Sequence, residues 1–140
     1  MSPGTETGGI LIGYHKGIDI EIVRASNAGP NAIKSACTVL RDTEYCQAVL
    51  QQEFEISRAD YVGEWHTHVV DLQRPSTGDI QTLAGIIMDP DYDFQSFAMI
   101  LVNASQQSIS RVAGYMATRE DEATVEIIEV PIVAAISDCE

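Results

Sequence analysis

Basic residues are scarce in this 140-residue chain: 8 Lys and Arg stand against 21 Asp and Glu, for a net charge of −13. Such a balance repels phosphate backbones, and no local Lys/Arg cluster offsets it, so nucleic acid is not expected as a ligand. The acidity reads as a solubility feature. Cysteine is also sparse. Cys37, Cys46 and Cys139 are odd in number, widely spaced and without a C-x-x-C pair, which argues against a disulfide framework. They read as two reduced, packed thiols and one in a loose tail. No apolar run approaches the roughly 18 residues of a membrane span, and the N-terminus has no basic n-region or apolar h-region. A reducing cytoplasm, with no membrane partner, is the expected setting. Internal repeats and low-complexity tracts are missing as well. What remains is 45% apolar, enough for a core in one domain over residues 1–140, with residues 134–140 as a flexible tail.

Along the chain, residues 8–14 form a short apolar run with glycines where backbones can approach closely, a buried strand. Residues 15–17 resemble a hairpin turn. Ile18, Ile20 and Ile22 then alternate with Asp19 and Glu21, the pattern of a half-buried strand. His15 reads as an exposed turn residue. Residues 26–35 are rich in Asn, Gly, Pro and Ala and read as a loop, and 36–41 as a further short strand. Asp42 or Thr43 can cap a helix reaching about residue 57, with Cys46, Val49, Leu50 and Phe54 on one face. A strand over 61–68 follows, then an irregular connection and a helix over 76–88, which Pro90 cannot continue. Strands over 96–102, 109–117 and 124–133 complete the chain. Alternating strands and helices, then strands, imply an α/β (α+β) fold: a mixed sheet flanked by helices.

The strand over 61–68 carries two of the three histidines. Its period of two puts His66 and His68 on one face, while Trp65 faces the other way as a core anchor. Ser76 follows eight residues after His68, and Asp79 three later. Two imidazoles and a carboxylate suit a zinc site that keeps one position for water. Ser-x-x-Asp at a helix start is equally a capping box. On these four residues alone, a metal site and a well-capped helix beside two surface histidines stand level. Hydrolysis also needs a base to move the water's proton. Glu64, sharing the face of His66, and Glu6, ahead of a glycine-marked buried strand, are both candidates.

Glu6-Thr7-Gly8-Gly9-Ile10-Leu11-Ile12-Gly13, together with His66-x-His68-x7-Ser76-x2-Asp79, resembles the signature of the JAMM (JAB1/MPN+) metalloprotease family over nearly the whole chain. The resemblance implies a JAB1/MPN fold of cytidine-deaminase-like architecture. It implies one catalytic Zn2+ held by His66, His68 and Asp79 with a water as fourth ligand. Glu6 would be the general acid/base, and Ser76 would steady the oxyanion. The segments 41–46 and 61–68 and the Gly29-Pro30 loop resemble a prokaryotic branch that accompanies ubiquitin-activating and ubiquitin-conjugating homologues in CBASS antiphage operons. That branch implies a deconjugating isopeptidase whose protein substrate is a conjugated C-terminus, that of a cyclic-oligonucleotide synthase. A peptidase processing a small ubiquitin-like sulfur carrier, or a non-catalytic MPN scaffold, are the alternatives. Two departures stand out. Val69-Val70-Asp71 replaces the Pro that often follows the second histidine, and only five residues precede Glu6, where family domains usually carry a strand and a helix. Either this is a shortened version, or the true start lies upstream, or another chain covers that region, so that monomer and homodimer both stand as expectations.

Overall fold

The computed structural model describes residues 6–17, 19–34, 39–40, 42–68, 75–92, 94–104, 109–122 and 124–134. In chain order the elements are β1 (Gly8–Lys16), β2 (Asp19–Ala25), β3 (Ile33–Lys34), β4 (Val39–Leu40), α1 (Thr43–Ser57), β5 (Asp60–His68), α2 (Thr77–Met88), β6 (Ser96–Ala104), β7 (Ile109–Arg119) and β8 (Val125–Val130). Six strands form a mixed sheet in the order β2-β1-β5-β6-β7-β8, while β3 and β4 pair separately. Neighbours β5 and β6 run parallel, and the other pairs in the large sheet are antiparallel. This is the mixed sheet flanked by helices that the element order implies.

Both helices cover the same face of the sheet, and the topology requires it. Strands β2 and β5 are each antiparallel to β1, so they run parallel to one another. The connection from β2 through α1 to β5 and that from β5 through α2 to β6 step in one direction along the sheet. Right-handed crossovers then place both helices on one side. The packing agrees. Cys46 and Val49 of α1 cluster with Ile10 and Ile12. Leu83 and Ile87 of α2 cluster with Phe97, Met99, Leu101 and Tyr115. Register links the two clusters, because Ile10 pairs with Glu64, Glu64 with Met99 and Met99 with Tyr115. Tyr61 packs against both, its ring edge-on to Phe97 at 5.2 Å. The opposite face carries Leu11, Val62 and Ala98, with Trp65 and Ile100 packed on them.

Local chemistry sets the helix ends. Asp42 caps α1, its carboxylate accepting from Tyr45 N at 3.1 Å, and Arg58 closes the helix in a left-handed conformation. Its guanidinium lies 5.3 Å from the centre of the Phe54 ring, which is 38% exposed and so contributes less to the buried face than its spacing suggests. Ser76 caps α2 in a complete capping box with Asp79. Near the start of β1, glycine is a requirement of packing. A Cβ on Gly8 would stand 2.4 Å from Trp65 O and 2.8 Å from His66 Cβ, and one on Gly9 would stand 2.1 Å from Ser26 O. Gly8 lets β1 press against the strand that bears the histidines, and Gly9 lets it press against the backbone at Ser26 on its other side.

Some boundaries differ from the sequence reading. The strand expected over 36–41 is represented by Val39–Leu40, with 35–38 and 41 outside the described residues. Its partner, Ile33–Lys34, lies in what reads as a loop. The last strand stops at Val130, since Pro131 has no N–H to extend the ladder. Residues 69–74, 135–140, Cys37 and Cys139 also lie outside the described residues, whereas Cys46 is a buried free thiol.

Candidate metal centre

Strand β5 delivers His66 and His68 to the helix-covered face, with ring centroids 4.9 Å apart. Asp79 comes from the first turn of α2, where the unpaired N–H groups and the helix dipole favour a negative charge. Its two oxygens divide the work: Oδ1 lies 2.8 Å from His66 Nε2, and Oδ2 lies 3.0 Å from His68 Nε2. Oδ2 also accepts from Ser76 N at 2.9 Å, while the Ser76 hydroxyl accepts from Asp79 N at 3.1 Å. Capping box and histidine cluster are therefore one structure. The same carboxylate that closes the helix start holds both imidazoles.

Glu6 enters from the other side. It is 5% exposed and its Oε2 lies 3.4 Å from His68 Nδ1. Of the two glutamates considered as a base, Glu6 lies against the cluster histidine His68. Glu64 shares the face and is buried, but its carboxylate accepts from the Tyr61 hydroxyl at 2.8 Å. His15 is exposed at the far end of β1, near Ser96. Trp65 turns to the opposite face, as the strand period implies, and its Nε1 donates to Ser26 O at 2.7 Å. Two residues have no motif to announce them. Asn103 is buried and pairs in register with His68 across the parallel β5–β6 ladder. Thr67, between the histidines, bonds to Thr7.

Charge follows from these contacts. Hydrogen bonding to Asp79 raises the His68 pKa most, against the opposing effect of burial, and the Asp79 and Glu6 charges add to the rise. Burial pushes the Asp79 carboxyl up, but hydrogen bonds from His66 and His68, the His66 charge and the Ser76 N–H together hold it far below the usual carboxylate range. Burial raises the Glu6 pKa, opposed by the nearby histidines.

The donor set fits a divalent ion of the zinc type. One ligand atom from each of His66, His68 and Asp79 can be chosen so that all lie within 4.8 Å of one another. Imidazole nitrogen and carboxylate oxygen are ordinary zinc ligands, and three protein ligands characterise sites that keep an open position.

The pH dependence has a definite sign. The lowered Asp79 pKa contributes stability that is present above the unfolded value of about 3.9 and lost as pH falls below it. The raised His68 pKa contributes stability present below about 6.5 and lost as pH rises through the folded value. The cluster thus stabilises the metal-free protein most in mildly acidic solution. A bound ion must displace the His68 proton, so its contribution grows with pH. Melting curves should show a larger zinc-induced rise in Tm at about pH 8 than at about pH 5.5. An equal or reversed difference would contradict this picture of the site.

Comparison with known proteins places this geometry. Residues 1–129 match the family described as prokaryotic homologs of the JAB domain. A Vibrio cholerae serotype O1 protein named CD-NTase/cGAS isopeptidase is 36% identical over 76 residues, which are 53% of this chain and 49% of that protein. An Escherichia coli protein of the same name is 34% identical over 86 residues, 59% and 55% of the two chains. The matched stretch thus spans about half the length of these two relatives. An Enterobacter hormaechei protein, again so named, is 27% identical over 91% of this chain and 71% of its own. The solution structure of a Desulfitobacterium hafniense protein shares the fold, with a TM-score of 0.62 at 18% identity over 93% of this chain and 78% of that one. A family match over residues 1–129, with a mixed six-stranded sheet and two helices of the JAB/MPN type, settles the affiliation: the chain belongs to the prokaryotic homologs of the JAB domain.

Proposed function

We propose that this chain is a zinc-dependent isopeptidase. It cleaves the bond joining the conjugated C-terminus of a cyclic-oligonucleotide synthase to its target, in CBASS antiphage defence. The observation that carries this reading is the buried Glu6 carboxylate beside His68, facing a cluster of His66, His68 and Asp79. The substrate follows from relatives named CD-NTase/cGAS isopeptidase. Zinc held by His66, His68 and Asp79 would polarise the scissile carbonyl and bring a water's pKa near ~7.

The chain's own groups do the rest. Glu6 takes the proton of the attacking water and returns it to the departing lysine amine. Its raised pKa suits a group that must be acid as well as base. Ser76 uses a lone pair in the helix cap, which leaves its O–H free to donate to the oxyanion. The substrate tail runs extended to reach the metal, pairing with an exposed strand edge.

Ser76→Ala separates the serine's two roles. Loss of the cap costs about 1 kcal/mol, a small drop in Tm, whereas loss of the oxyanion donor slows turnover by about 10²-fold. A large Tm drop with normal kinetics would leave capping as its whole role. The proposal as a whole is tested by incubating the zinc-loaded protein with a synthase–target conjugate. Both free proteins should appear, the conjugate should survive in a zinc chelator, and added zinc should restore cleavage. An intact conjugate with zinc present, or cleavage that withstands chelation, would refute it.

A further inference from the structure

The β1–β5 ladder does not end where strand pairing ends. Gly8 pairs with His66, and one residue further out the Thr67 side chain takes over. Thr67 is 3% exposed and, on a strand, points away from the histidines on either side. Its Oγ1 accepts from Thr7 N at 2.9 Å and donates to Thr7 O at 3.3 Å, while Thr67 N donates to that carbonyl at 2.8 Å. Thr7 N belongs to the peptide unit that joins it to Glu6. That unit is planar, so fixing Thr7 N also fixes the carbonyl carbon and Cα of Glu6.

We infer that Thr67 is a positioning residue, whose hydroxyl clamps the Glu6–Thr7 peptide and so aims the Glu6 carboxylate at the metal cluster. The backbone bond from Thr67 N reaches only the far side of Thr7 and leaves the Glu6 peptide able to tilt about it. The hydroxyl bond supplies the second point of attachment. It does so from the strand that carries both histidines, so base and metal ligands share one frame. A small tilt matters, because a misplacement of about 1 Å can cost about 10²-fold in rate. This inference rests on the reading of Glu6 as the proton carrier.

Thr67→Val removes the hydroxyl with little change of shape, and Thr67→Ser restores it. The valine variant should bind zinc at the wild-type ratio and keep its KM for the conjugate, with kcat down at least about tenfold. The serine variant should recover most of that loss. In the zinc-free proteins, amide hydrogen exchange at Thr7 should be at least about tenfold faster in the valine variant and near normal in the serine one. Should the valine variant not fold, Thr67→Ala against Thr67→Ser compares two side chains that both lack the methyl and differ in the hydroxyl. Wild-type kcat and unchanged Thr7 exchange without the hydroxyl, or equal losses in the two members of a pair, would overturn the clamp. If the wild-type protein does not cleave the conjugate, the isopeptidase reading fails, and the exchange measurement still decides whether the hydroxyl holds Thr7.

Discussion

Glu6→Gln should retain its zinc and lose turnover by about 10²–10⁴-fold, the range that a positioned acid/base contributes. The amide keeps the shape of the carboxylate and can occupy the same buried place beside His68 Nδ1, but it cannot take a proton from water. KM should change little, since the substitution leaves the side chain's volume as it was. Folding should not suffer either. Burial raises the Glu6 pKa, so its charged form opposes folding as pH rises. A neutral glutamine removes that cost, and Tm above neutral pH should equal or exceed the wild-type value. Zinc-loaded Glu6→Gln protein with full activity would remove Glu6 from the mechanism. A variant that also lost its zinc would show the carboxylate to be part of the metal's support.

His68→Ala has the other large effect, and it acts on metal and fold together. Losing even the outer-shell support of a zinc ligand costs about 10–100-fold in affinity, so losing the ligand itself should leave zinc below one equivalent. Cleavage should disappear with it. The imidazole is buried between two carboxylates, 3.0 Å from Asp79 and 3.4 Å from Glu6. Without it these two acids face one another across a gap. Breaking a buried pair of this kind costs roughly 3–5 kcal/mol, because the remaining charge stays desolvated. The metal-free variant should therefore melt below the metal-free wild type. Its deficit should shrink in acid, where the carboxylates can take up protons. Stoichiometric zinc in His68→Ala would show that the ligand set is wrong.

Much of this site is local in sequence, and that part is legible there. His-x-His on a strand fixes a shared face whatever the tertiary structure, and Ser-x-x-Asp marks a helix start. What separation along the chain hides is which faces meet. Whether Ser76 and Asp79 cap a helix or bind a metal is undecidable from spacing alone. The structure answers that both cap the helix while Asp79 also meets the histidines, since it accepts from Ser76 N and touches both imidazoles. Glu6 and Glu64 are equally plausible bases from the chain. Only the antiparallel pairing of β1 with β5 brings Glu6, sixty-two residues away, to His68. Asn103 reaches the same neighbourhood through the parallel β5–β6 pairing, which no local pattern encodes. Thr67 is concealed differently. A threonine in a strand is ordinary by propensity, and its bond to Thr7 has no counterpart in residue spacing.

The fold shows the same division. Amphipathic spacing identifies α1 and α2, but their presence on one face follows from two crossovers stepping in the same direction, a property of strand order. Strand β3 is read as loop because a two-residue strand is too short to carry an alternation signal.

If His66, His68 and Asp79 hold one metal ion together, the metal content of the purified wild-type protein shows it. Elemental analysis after dialysis should give one zinc per chain, with Asp79→Asn and His66→Ala proteins that stay folded yet fall well below that ratio. A folded wild-type protein that takes up no zinc, or variants that hold a full equivalent, would contradict the account.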